Sequence, residues 1–198
     1  VGGVDLGTAS SLGMEMVYNP PRMCGDAQTD LAVPGLTTFN GAVKVCLGDN
    51  PSTYFAATGD ITLAGFQLAA TDVCLSVNDQ RGCPGAGGGD GLYLSSQLNV
   101  PGILSSDITG YYQSLNSFDL TGDANVTVAG FTLLDSSVRL SPQAGAFVDG
   151  RVAIPAFGNA GISGSVQPNG QYSLTGTANL SPLGFNFSNA SVAVTPGR

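Results

Sequence analysis

Leu120–Phe131 reads LTGDANVTVAGF, and Leu174–Phe185 reads LTGTANLSPLGF. A third version, ATGDITLAGF, runs from Ala57 to Phe66. One chain stating nearly the same thing three times is the signature of a repeat architecture. The Gly-Phe pairs Gly65-Phe66, Gly130-Phe131 and Gly184-Phe185 serve as anchors. After each glycine the apolar residues fall at the same offsets: Phe66, Leu68, Val73, Leu75; Phe131, Leu133, Val138, Leu140; Phe185, Phe187, Val192, Val194. Before each glycine, apolar and polar residues alternate. Period-two alternation over such lengths is the pattern of strands with one buried face.

The parity of the alternation flips near each Gly-Phe and again a few residues later. Strand side chains point alternately to the two faces, so a flip requires an extra residue: a bulge, a bend or a tight turn. The Gly-Phe pairs are therefore read as repeat corners, with their phenylalanines expected in equivalent buried positions. Upstream, LAVPG (from Leu31), LNVPG (from Leu98) and VAIPAFG (from Val152) each end a strand in proline. One unit is strand, break, strand, turn, strand, Gly-Phe corner, strand. Gly130 and Gly184 stand 54 residues apart, whereas Gly65 and Gly130 stand 65 apart. The surplus is an insertion, DQRGCPGAGGGDG from Asp79.

This divides the chain into an N-terminal cap or partial repeat (1–29), repeat 1 (30–78), a Gly-rich insertion (79–91), repeat 2 (92–143) and repeat 3 (145–196). The expected fold is all-β and antiparallel, an elongated sandwich or open repeat array growing by one unit per repeat. A closed three-fold trefoil or prism is the alternative. The open form is favoured because VAVTPGR stops where repeat 2 ran straight on into repeat 3.

The pattern Leu-Thr-Gly…Gly-Phe-x-Leu…Val-x-Leu over residues 30–196 resembles the tandem β-repeats of large bacterial secreted and cell-surface proteins. That resemblance implies an extracellular structural role. It carries no catalytic residues with it.

Composition narrows the function. Charged residues make up only 10% of the 198 residues and the net charge is −8. Lys44 is the only lysine, so the chain has no basic stripe to neutralise nucleic-acid phosphates or anionic lipid. No apolar run approaches the ~20 residues of a membrane-spanning helix. Histidine is absent, which removes the usual general base and the Ser-His-Asp and Cys-His arrangements. Glu15 is the only glutamate, and the aspartates are scattered, several at turn-like positions. The sequence thus argues against an enzyme and implies no cofactor.

Four cysteines, Cys24, Cys46, Cys74 and Cys83, form an even set in a Lys-poor, Gly/Ser/Thr-rich chain, as expected of two disulfides made in an oxidising compartment. Of the three pairings, Cys24–Cys46 and Cys74–Cys83 are favoured because each closes a local loop. The first residue, Val1, fits a mature chain whose signal segment is gone, or equally an excised fragment.

The remaining candidates are weaker. GAGGGDGLY from Gly85 resembles a single calcium-binding nonapeptide, with Asp90 as the ligand, but such sites need stacked copies. A tethered flexible loop is the simpler reading. Asn125, Asn179, Asn186 and Asn189 head N-x-S/T glycosylation sequons, the first three expected on the outward face. Tyr111-Tyr112 should put one ring in the core and one on the surface.

The function expected is that of an extracellular or cell-surface structural repeat protein, a filament or sheath subunit that associates with identical subunits through strand edges. Residues 1–17 are the candidate donated strand. The alternative is an adhesin-like or ligand-binding module for glycans or apolar molecules.

Overall fold

In a computed structural model, residues 5–6, 11–18, 21–33, 35–36, 38–48, 51–78, 83, 90–154, 158–180 and 187–195 are described. Among them the secondary structure is entirely β, with no helix. The strands are β1 (Asp5–Leu6), β2 (Ser11–Tyr18), β3 (Pro21–Ala32), β4 (Thr38–Gly48), β5 (Ser52–Leu63), β6 (Phe66–Val77), β7 (Gly91–Val100) and β8 (Leu104–Ser114). They continue with β9 (Ser117–Val128), β10 (Phe131–Thr132), β11 (Leu134–Ser141), β12 (Gly145–Ile154), β13 (Gly158–Val166), β14 (Tyr172–Leu180) and β15 (Phe187–Val194). From β3 onward each strand pairs antiparallel with the next in an open meander ending at β15, with the two-residue β10 paired to β9 beside it. At the other end β1 and β2 lie one after the other along the same edge of β3. The sheet is open and does not close into a three-fold body.

The pairing register recurs. Phe55 faces Leu75, Leu120 faces Leu140 and Leu174 faces Val194, and each first member lies ten residues before its corner glycine. Likewise β6 carries β7 with Val73 opposite Leu94, and β11 carries β12 with Val138 opposite Val148. On β3, Leu12 and Met14 of β2 face Ala27 and Gly25, and Leu6 of β1 faces Leu31. Aligned on the Val-Pro or Ile-Pro that ends each strand, β3, β7 and β12 are equivalent, so β1 and β2 together take the place that β6 takes on β7. β3 crosses the 29/30 boundary drawn from the sequence, because its polar first half lacks the alternation that marks its second half.

A single sheet buries a core only by folding over. Here turns from opposite ends of the strands meet. A Cβ on Gly35, after β3, would lie 2.5 Å from Leu115, after β8. A Cβ on Gly65, after β5, would lie 3.2 Å from Pro168, after β13. The sheet is therefore bent across its strands, and mid-strand bulges accommodate the bend. Register shifts between Gly59 and Ile61, Ala69 and Asp72, Leu134 and Ser137, and Ala178 and Leu180 mark these bulges. Ala70 and Asp135, each five residues past a corner glycine, take positive φ of 48° and 47°. The buried face of every unit then joins one continuous apolar core from Leu31 to Ala178.

Inside that core, large and small residues alternate between equivalent places. Gly41 faces Ala57 where Ile162 faces Gly176, and Val43 faces Phe55 where Gly164 faces Leu174. A Cβ on Gly122 or Gly176 would collide with the carbonyl of Asp107 or Gly161 on the neighbouring strand. The glycine of each Thr-Gly pair in the long motifs is thus a packing requirement.

Candidate functional site

The two described corners each begin with two residues of positive φ, Ala64 (49°) and Gly65 (83°), then Ala129 (49°) and Gly130 (81°). Such pairs make the tight turn that suits a twisted hairpin, and glycine bears the more extreme φ without strain. The backbones match: Phe66 faces Leu63 and Phe131 faces Val128. The side chains do not. Phe66 is 3% exposed and Phe131 is 47% exposed, so the expectation of equivalent burial fails at Phe131. Gly184, Phe185 and Asn186 lie outside the described residues.

The reason for the difference is positional. Phe131 lines an apolar slot of about 110 Å³ with Val128, Leu133, Val152, Ile162, Val192 and Val194. One unit earlier the equivalent residues are Leu63, Phe66, Leu68, Leu98, Ile108, Val138 and Leu140, all buried. That earlier layer is closed by β12, whose Val148 and Ala146 face Val138 and Leu140. Val192 and Val194 of β15 are only partly buried, and among the described residues β15 pairs on one side alone.

A second concavity, a cleft of about 900 Å³, lies where the turns after β5, β7 and β13 approach one another. Leu36, Phe66, Pro101 and Pro168 line it together with Asp60, Thr62, Gln67 and Asn99. The Asp60 carboxylate accepts a 3.0 Å hydrogen bond from the Ala70 amide, so it caps the bulge. Asn125 and Asn179 stand at the same offset before their corner glycines as Asp60, and Asn189 stands where Ala70 and Asp135 do. Asn125 is exposed on β9, while the side chains of Asn179 and Asn189, on β14 and β15, are not among those described. Their shared offset is a position that Asp60 uses as a cap, a role that the expectation of glycan sites does not include.

The cysteines pair as Cys24–Cys46 and Cys74–Cys83, with no free thiol. Cys24 and Cys46 face each other directly across β3 and β4, with Cα atoms 4.1 Å apart. Cys74 lies on the outer face of β6, and its bond ties the insertion to that face at Cys83. Both bonds suit an oxidising compartment. Asp90 closes the insertion, accepting a 2.6 Å hydrogen bond from the backbone N–H of Asn78. Among the described residues no three acidic, Cys or His side chains cluster as metal ligands.

On the outer face Tyr93 and Tyr111 meet edge to face at 5.7 Å. Tyr111 is exposed and Tyr112 is buried, as the strand alternation requires. Burial raises the Tyr112 phenol above its ordinary pKa. A two-pronged hydrogen bond from Arg139 to Asp119, 2.7 Å on each arm, raises the Arg139 pKa. Arg151 pairs with Asp135 at the bulge. These exposed pairs steady neighbouring strands and contribute little stability.

Compared with known proteins, the chain matches no family model, no curated protein and no solved structure.

Proposed function

We propose that this chain is an extracellular structural repeat protein, a filament or sheath unit that propagates its sheet end to end. One observation carries the reading: a core layer that is closed within the chain recurs at β15, where, among the described residues, no further strand pairs beside the slot at Val192 and Val194. The mechanism is mechanical. Ladder hydrogen bonds run from unit to unit, and an uncovered edge invites strand addition. A charged fraction of 10% keeps like-charge repulsion between neighbours low. Two disulfides favour an oxidising location, and a cell surface supplies one. Sedimentation velocity and negative-stain microscopy over a concentration series test the reading. Particles should lengthen in steps of one chain. A compact monomer at every concentration would refute it.

The wholly apolar lining of the slot favours a second reading, a binding module for small apolar molecules. An environment-sensitive apolar dye should then bind the monomer, and Val192→Trp, which fills the slot, should abolish the signal.

A further inference from the structure

The slot at β15 and the strand pair β1 and β2 stand at the two ends of the strand order. β3 belongs to the same class as β7 and β12, the strands that cover β6 and β11 inside the chain. Its outer edge holds β1 and β2, which the sequence reading offered as a donated strand. They instead pair within their own chain.

That pairing leaves its side chains more open than its counterparts do. β1 and β2 are separate strands of 2 and 8 residues, as β10 and β11 are, whereas β6 is a single strand of 12. Leu75 and Leu140, at the place of Met14, are 5% and 0% exposed, whereas Met14 is 65% exposed. Met16 is 64% exposed, so both methionines lose little burial if β2 leaves. The Cys24–Cys46 bond meanwhile keeps β3 fastened to β4 on its other side.

The geometry points to strand exchange between copies of this chain: β15 of one molecule displaces β1 and β2 from β3 of the next. This rests on the end-to-end reading above and gives it an occupant and a register. The occupant is a second copy because the seam it would form continues one that the chain already makes twice. In the β6–β7 and β11–β12 register, Val194 comes opposite Gly25, Val192 opposite Ala27 and Ala193 opposite Asp26. Val192 and Val194 take over the places of Leu12 and Met14, and the β3 strand covers the slot. Ala193 and Asp26 are both exposed on the outer face, where Gly13 now lies opposite Asp26.

Disulfide trapping tests this in the full chain. Ala193→Cys and Asp26→Cys chains are mixed under mild oxidation that leaves the native bonds intact, and circular dichroism checks that each variant keeps its β signal. A mixed dimer should form, and a chain bearing both substitutions should give a ladder of oligomers. Moving the second cysteine two residues, to Gln28→Cys, should lose the mixed dimer. Equal trapping at both positions, or none at either, overturns the exchange. Sedimentation of the unmodified chain separates the two failures. If it lengthens without trapping, the exchange is wrong and the end-to-end reading holds. If it stays monomeric and nothing is trapped, both fall.

Discussion

Two layers of this molecule are built from the same positions and end differently. Around Phe66, the layer containing Leu68, Leu98, Val138 and Leu140 is sealed, with every one of these side chains at 3% exposure or less. Around Phe131, the corresponding layer is a slot, and Phe131 stands about half exposed at 47%. The local chemistry is nearly the same in both, so local chemistry does not decide burial. What differs is the neighbour: β12, a strand of the β7 type, lies against the first layer, whereas among the described residues β15 pairs with β14 alone. In a repeat protein the environment of a residue is set by its neighbour unit as much as by its own.

The largest expected effect breaks the comparison at its centre. Phe66→Ala removes a sealed ring and should cost about 3–5 kcal/mol in urea unfolding with the disulfides intact. Phe131→Ala removes a half-exposed ring and should cost about 1 kcal/mol. Equal losses would mean that the slot is closed in solution.

The same contrast shows how far the sequence could be read. Alternation around Gly65 and Gly130 exposes the strands, the corners and the repeated order, because those follow from side-chain period and turn chemistry. The place of Tyr112 in the core followed in the same way. Phe131 could not be read, since its exposure depends on what stands beside β15, which among the described residues pairs with β14 alone, rather than on its own segment. β1 and β2 were also illegible as a repeat strand: GVDL, from Gly3, carries valine where the other corners carry phenylalanine, and the spacing from Leu6 to Leu12 is one residue longer than from Leu68 to Val73.

A middle-sized effect sharpens the comparison between crowded and open glycines. A side chain at Gly122 would strike the Asp107 carbonyl, whereas nothing lies within 4 Å of a Cβ at Gly161. Gly122→Val should therefore cost about 2–3 kcal/mol through overpacking. Gly161→Val, on an exposed strand position, should change stability by no more than about 0.5 kcal/mol. Paired denaturation curves read both, and a mild effect at Gly122 would show that β8 and β9 can part without loss of the core.

The smallest effect concerns the bulges that let the sheet fold over. Asp60 donates no proton here; its carboxylate accepts from the Ala70 amide, at a residue whose φ of 48° would otherwise leave that amide turned out of the ladder. Asp60 is exposed, so water competes for the same amide and the bond is worth only about 1 kcal/mol. Asp60→Ala should lose that amount. Asp60→Asn should lose a few tenths of a kcal/mol, because an amide oxygen accepts as a carboxylate oxygen does and gives up only the charge-assisted part. The later units already carry asparagine at this offset, Asn125 and Asn179. An asparagine that caps through its Oδ1 keeps its Nδ2 for a glycan, so capping and glycosylation do not compete at the same atom. Asn125→Asp should accordingly leave stability within about 0.5 kcal/mol of the parent while abolishing any attached glycan. The check is a denaturation midpoint and an intact mass on protein from a glycosylating host. A loss as large as that of Asp60→Ala would show that the second corner is held in another way.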